Sequence, residues 1–164
     1  IISRSVFAGR LVRCNFAASP AQAVPMTAAN APAGTAAPYV EADTHGHMNS
    51  TPGVAVSIPG LAPVVAILDT GSSRGLTLPL SMANAVPLVA PMSPDEPQRM
   101  VGALYSAFKA QLNGDVRIGG LTLHNPGIRF VDAPEPVIVG FQILRAGIVV
   151  LDPAGRRSWF LPAS

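Results

Sequence analysis

Cysteine, lysine and charge in general are what this chain has least of. Cys14 is the one cysteine in 164 residues, so neither an internal disulfide nor a cysteine-based zinc site can be built within the chain. Lys109 is the one lysine, and charged residues make up only 12%, about half the usual share. The net charge of +2 is uneven: residues 1–40 carry Arg4, Arg10 and Arg13 and no acidic residue, which leaves −1 for residues 41–164. The other arginines are scattered, with Arg156 and Arg157 the single adjacent pair. That pattern presents no basic face, and no nucleic-acid partner is expected. Residues 48–68 and 75–94 are free of charge and long enough to raise a membrane span. Pro52, Pro59 and Pro63 interrupt the first, and Pro79, Pro87, Pro91 and Pro94 the second. Prolines so placed break a spanning helix, so no membrane span is expected.

Apolar residues and turn formers are abundant instead. Hydrophobic residues reach 49%, enough for a core, while seventeen Pro and fifteen Gly exclude long helices and favour short strands. The length suits one domain with an appendage. Residues 1–38 read as that appendage, a flexible arm. Arginines interrupt the apolar residues of 1–16, unlike the centre of a secretory signal. Residues 17–38 form an Ala/Pro-rich linker with Pro20, Pro25, Pro32 and Pro38. Residues 39–164 read as the folded domain. The compartment stays unassigned.

Within that domain Val54, Val56 and Ile58 alternate with Ala55 and Ser57, the period of a half-buried strand. The unbroken run Val64-Val65-Ala66-Ile67-Leu68 predicts a strand buried on both faces. Residues 76–80 read as another strand and 87–97 as a proline-punctuated loop. Residues 100–104 and 107–112 flank an expected turn at Tyr105-Ser106. Gly119-Gly120 joins 116–118 to 121–123 as a hairpin. Residues 128–131 and 137–139 follow, then a short helix over 141–145. A last hairpin joins 148–151 to 158–161 across Asp152-Pro153-Ala154-Gly155. Short strands at this spacing predict an all-β barrel or sandwich.

The chemistry concentrates at Leu68-Asp69-Thr70-Gly71-Ser72-Ser73. A carboxylate at the end of an apolar strand is costly to bury unless something requires it there. The plain alternative is a turn, since Asp-x-Gly is common turn chemistry. Among the histidines, His45-x-His47 lacks a third ligand nearby, and His124 precedes the turn formers Asn125-Pro126-Gly127. Ser72-Ser73 lies in no Gly-x-Ser-x-Gly elbow. Trp159 and Phe160 read as core or dimer contacts, and Tyr105 as part of a hairpin.

Three segments in order carry a resemblance. Val65 to Ser73 is similar to the active-site loop of aspartic proteases. Val137-Ile138-Val139-Gly140 with Ile143-Leu144 looks like the apolar-apolar-Gly segment that threads this loop in retroviral-type members. Arg99-Met100-Val101-Gly102-Ala103-Leu104 lies where those carry a flap hairpin. The chain therefore resembles the single-lobed, retropepsin-like aspartic proteases over about two thirds of its length. The resemblance implies an all-β barrel with one short C-terminal helix, active as a homodimer on a polypeptide substrate, with no cofactor. Asp69 would be the catalytic carboxylate. Thr70 would hydrogen-bond across the two-fold axis, Gly71 would offer its carbonyl to substrate, and Ser72 would donate to the outer oxygen of Asp69. Val101, Gly102 and Ala103 would form the flap, while Ile138, Val139 and Gly140 would support the loop. Asp-Thr-Gly occurs once, so the second carboxylate of the dyad would be Asp69 of a second copy. Ser73 and Phe141 stand where retroviral members carry an ion-paired acid and arginine, so such a dimer is held differently. The alternative is a catalytically silent dimeric β-barrel that binds peptides or mediates assembly.

Overall fold

The computed structural model describes residues 10–33, 36–42, 51–100, 103–133 and 136–163. In chain order the strands are β1 (Leu11–Asn15), β2 (Gln22–Met26), β3 (Ala37–Ala42), β4 (Thr51–Ser57), β5 (Val64–Asp69), β6 (Leu76–Pro79) and β7 (Ser93–Met100). There follow β8 (Ala103–Gln111), β9 (Asp115–Ile118), β10 (Leu121–His124), β11 (Gly127–Val131) and β12 (Val137–Gly140). The helix α1 (Phe141–Leu144) then leads into β13 (Gly147–Asp152) and β14 (Arg157–Pro162). Among the described residues the fold is all-β with one short α-helix. Its hydrogen-bonded order is β2-β1-β13-β14-β3-β4-β5-β12-β6-β11-β8-β7, with β9 paired to β4 and β10 to β9.

Period-two alternation builds the core. Val54 and Val56 of β4, Val116 and Ile118 of β9, and Leu76 and Leu78 of β6 meet Phe130, Val139 and Leu144 in one buried cluster. The final hairpin is apolar on both faces because it separates two clusters. Val149 and Phe160 face the main core, while Ile148, Val150 and Trp159 face a second cluster with Leu11. The Arg157 guanidinium sits 5.2 Å from the centre of the Trp159 ring, so Trp159 is a packed residue.

Four sequence expectations are corrected. The N-terminal segment is not a flexible arm over residues 11–26. There β1 pairs with β13 through Val12↔Leu151 to Asn15↔Ile148, and β2 pairs back on β1. Arg10 and Arg13 break the apolar run without breaking the burial of Leu11 and Val12, worth on the order of 1.5–3 kcal/mol each. Pro25 is tolerated because β2 ends the sheet order, where a missing N–H need remove no ladder bond.

The proline-punctuated segment is likewise strand over 93–97. Among the described residues β7 pairs only with β8, and its ladder shifts register between Asp95 and Gln98, as prolines in an edge strand allow. No turn forms at Tyr105-Ser106, since β8 runs unbroken through both. Ser106 alone can serve a turn, while Tyr105 and the residues around it favour a strand. Finally, β5 is not buried on both faces, because Val65 remains 44% exposed. The helix over 141–144, the Gly119-Gly120 hairpin and the last hairpin lie where expected.

Candidate active site

Asp69 is the last residue of β5, and the chain turns immediately after it. The Ser72 amide donates to the Asp69 carbonyl at 3.3 Å, and the Gly71 amide donates to Asp69 Oδ1 at 2.8 Å. This is Asx-turn chemistry, and it fixes the carboxylate against its own loop. Asp69 is half-buried, while Thr70 and Gly71 are exposed.

The strand that supports the loop arrives from far along the sequence. β12 lies between β5 and β6 in the sheet, parallel to β5 with Gly140 opposite Asp69 and Ile138 opposite Ile67. The 70–75 loop therefore has to cross the end of β12 to reach β6. Three successive amides tie it down: Gly140 N–H donates to the Gly75 carbonyl at 2.7 Å, Phe141 N–H to Ser72 at 2.8 Å, and Gln142 N–H to Arg74 at 3.2 Å. The first amides of a helix have no partner within it, and here those of α1 hold the loop instead. Position 140 must be glycine. A Cβ there would collide with the Arg74 carbonyl oxygen and lie 2.9 Å from Ser72 Oγ.

The structure thus brings together Asp69, Thr70, Gly71 and Ser72 with Ile138, Val139 and Gly140. Among the described residues the one hydrogen-bond donor to the Asp69 carboxylate is Gly71. The bond expected from Ser72 is not formed in the single chain, where the Ser72 hydroxyl lies toward Gly140. Of the expected flap, Ala103 opens β8 opposite Met100, and Val101 and Gly102 lie outside the described residues. His45 and His47 also lie outside them. His124 pairs with Asp115 at 2.9 Å at an exposed end of the β9–β10 hairpin. Among the described residues no group of three or more His, Cys, Asp or Glu side chains is placed to hold a metal ion. None of their helices is long and apolar enough to cross a membrane.

No protein-family model and no curated protein matches the chain. One solved structure similar to it is the EIAV protease complexed with the inhibitor HBY-793. The two share 20% identity over 60% of this chain and 89% of that chain, at a TM-score of 0.49.

Several residues around the loop escaped sequence reasoning. Phe141 meets Phe16 edge-on, ring centres 6.2 Å apart at 78°, so the segment after β1 braces the start of α1. Arg74 pairs with Glu96 of β7 at 3.3 Å, joining the end of the loop to the hairpin. Arg129 of β11 is 6% exposed. Its Nε donates to Asp95 Oδ2 at 2.9 Å, and its two other nitrogens donate to Gln98 Oε1 and the Glu96 carbonyl. All three partners sit at the register shift of β7, so one guanidinium fork holds the irregular strand in place. Burial raises the Asp95 carboxyl, but the Glu96 amide, the Arg129 hydrogen bond and the charges of Arg129 and Arg74 outweigh it and hold it below its ordinary value. No short-range pattern announces this cluster, since Asp95 and Arg129 are 34 positions apart.

Proposed function

We propose that this chain is an aspartic endopeptidase in which two Asp69 carboxylates, one from each copy of a homodimer, activate a water against the peptide bond of an extended polypeptide. The observation that carries this reading is the Asp69 loop. Its carboxylate is presented at a strand end, fixed by the Gly71 amide, and backed by the parallel strand ending at Gly140.

Two carboxylates that share one proton divide the labour. The ionised one takes a proton from water, and the protonated one polarises the scissile carbonyl. One chain supplies one Asp-Thr-Gly, so the site is half a site until a second copy joins. In that dimer Thr70 bonds across the axis, the Gly71 carbonyl meets the substrate backbone, and Ser72 reaches the outer carboxylate oxygen. Val101, Gly102 and Ala103 close over the peptide. Ile138, Val139 and Gly140 keep the loop in register, and no cofactor takes part.

The test is a peptide-library cleavage assay at acid and neutral pH on the native protein and on Asp69→Asn. An amide of nearly equal size cannot take the proton from water, so cleavage should fall by roughly 10²–10⁴-fold, with far-UV circular dichroism unchanged. Substantial cleavage by a clean Asn variant refutes the reading. Peptide binding without cleavage by the native protein supports the silent β-barrel instead.

A further inference from the structure

An open cleft of about 580 Å³ meets the far end of the Asp69 loop at Arg74 and Gly75. Its floor includes Arg74, five positions after Asp69, and its walls come from β7, β8, β11 and α1. Four charged side chains line it: Arg74, Asp95, Lys109 and Arg129. Two of these cancel, because Arg129 is spent on Asp95. The Arg74 partner, Glu96, does not line the cleft and is itself 85% exposed to water, so that pair is weak and readily exchanged. Lys109 pairs with no carboxylate among the described residues. The Gln111 and Gln142 side chains add further polar lining. The cleft is therefore cationic beside a loop read as a peptidase site, in a chain where cations are scarce.

We propose that this cleft receives an acidic side chain, Glu or Asp, of the polypeptide substrate, with Arg74 as a specificity-determining residue and Lys109 as the second cation. The proposal rests on the peptidase reading of the Asp69 loop. Arg74 suits the role because its backbone is fixed by the Gln142 amide while its side chain stays 40% exposed. A planar guanidinium grips a carboxylate with two parallel bonds. The incoming carboxylate replaces Glu96 rather than meeting an unpaired charge. Among the described residues β7 has β8 as its one strand partner, and an extended segment can add to an unpaired strand edge.

The experiment uses short peptides with randomised flanks in which each position is fixed in turn as Glu or Gln. kcat/KM is compared for the native protein, Arg74→Gln and Glu96→Gln. At one position the native protein should prefer Glu by about fivefold, the size of an exposed ion pair. Arg74→Gln should bring that ratio near one, and Glu96→Gln should raise it by releasing Arg74. Added salt should shrink the native preference. Cleavage with no Glu preference at any position, or with a preference that Arg74→Gln leaves untouched, overturns the proposal and leaves the peptidase reading standing. Fluorescence anisotropy of labelled Glu and Gln peptides on Asp69→Asn separates the two failures. Glu-selective binding that needs Arg74, with no cleavage by the native protein, supports the cleft and refutes the peptidase. Neither cleavage nor selective binding refutes both.

Discussion

Replacing Arg129 by Met should be among the most damaging single changes in this fold, and the structure sets its size. The guanidinium is buried, and the Asp95 side chain it holds is only 15% exposed. Met keeps much of the volume but withdraws three donors at once, from the Asp95 carboxylate, the Gln98 amide oxygen and the Glu96 carbonyl. Breaking a buried ion pair by removing one partner costs about 3–5 kcal/mol. Against a total stability of roughly 5–15 kcal/mol, that is a large share.

The pH dependence follows from the Asp95 shift. Its folded-state value is lowered, so the native protein holds this contribution above the unfolded carboxyl value. It loses the contribution as pH falls through the folded value. In Arg129→Met the carboxyl keeps the Glu96 amide and the Arg74 charge but loses the Arg129 bond and charge against the same burial cost, so its charged form is less favoured and acid relieves it. The gap between native and variant should therefore be widest near neutrality and narrow toward about pH 3. Urea denaturation at both pH values measures it, and an Asp95→Leu/Arg129→Met double variant should recover most of the loss, since nothing charged is left unpaired. A neutral-pH difference below about 1 kcal/mol, within reach of an exposed pair, refutes the claim that this fork holds β7. So does a gap that ignores pH.

Gly140→Ala should destabilise by about 1–3 kcal/mol, the range for an overpacked site, because its Cβ collides with the Arg74 carbonyl. Urea denaturation and peptide cleavage should both register the change. On the peptidase reading, diluting the protein below the dissociation constant of the proposed dimer should abolish specific activity cooperatively, and a monomer-only sedimentation profile with full activity would rule out the shared site. The rate should be bell-shaped in pH with its optimum on the acid side of neutrality, since one carboxyl must be ionised and its partner protonated. A kcat/KM still rising through pH 8 points to a different catalytic group.

Elements whose pattern and punctuation agree were readable in the sequence. The alternation around Val54 and Val56, the Gly119-Gly120 loop and the last hairpin are local signals, and each closes within a few residues. The Asp-Thr-Gly after an apolar run was equally local. What escaped depends on neighbours remote in sequence. β1 is a strand because β13 lies beside it, and Leu11 is buried because Trp159 and Val150 meet it. β7 carries two prolines, Pro94 and Pro97, yet stands as a strand at the edge of the sheet. Prolines in a sheet edge and prolines in a loop look alike until the sheet is built. The Arg129 fork and the cleft beside Arg74 are tertiary constellations with no spacing to betray them.

The threading of β12 between β5 and β6 also sets when the Asp69 loop can be completed. Ile67 is paired with Ile138, 71 positions later, and Val12 waits for Leu151. Contacts so distant form late, because a long loop must close before they repay it. During synthesis, which runs from the N-terminus, the Asp69 loop leaves the ribosome well before the strand and helix that fasten it. On the peptidase reading, a half-made chain is harmless to itself and to its neighbours. On that reading the order of translation acts as a safety catch.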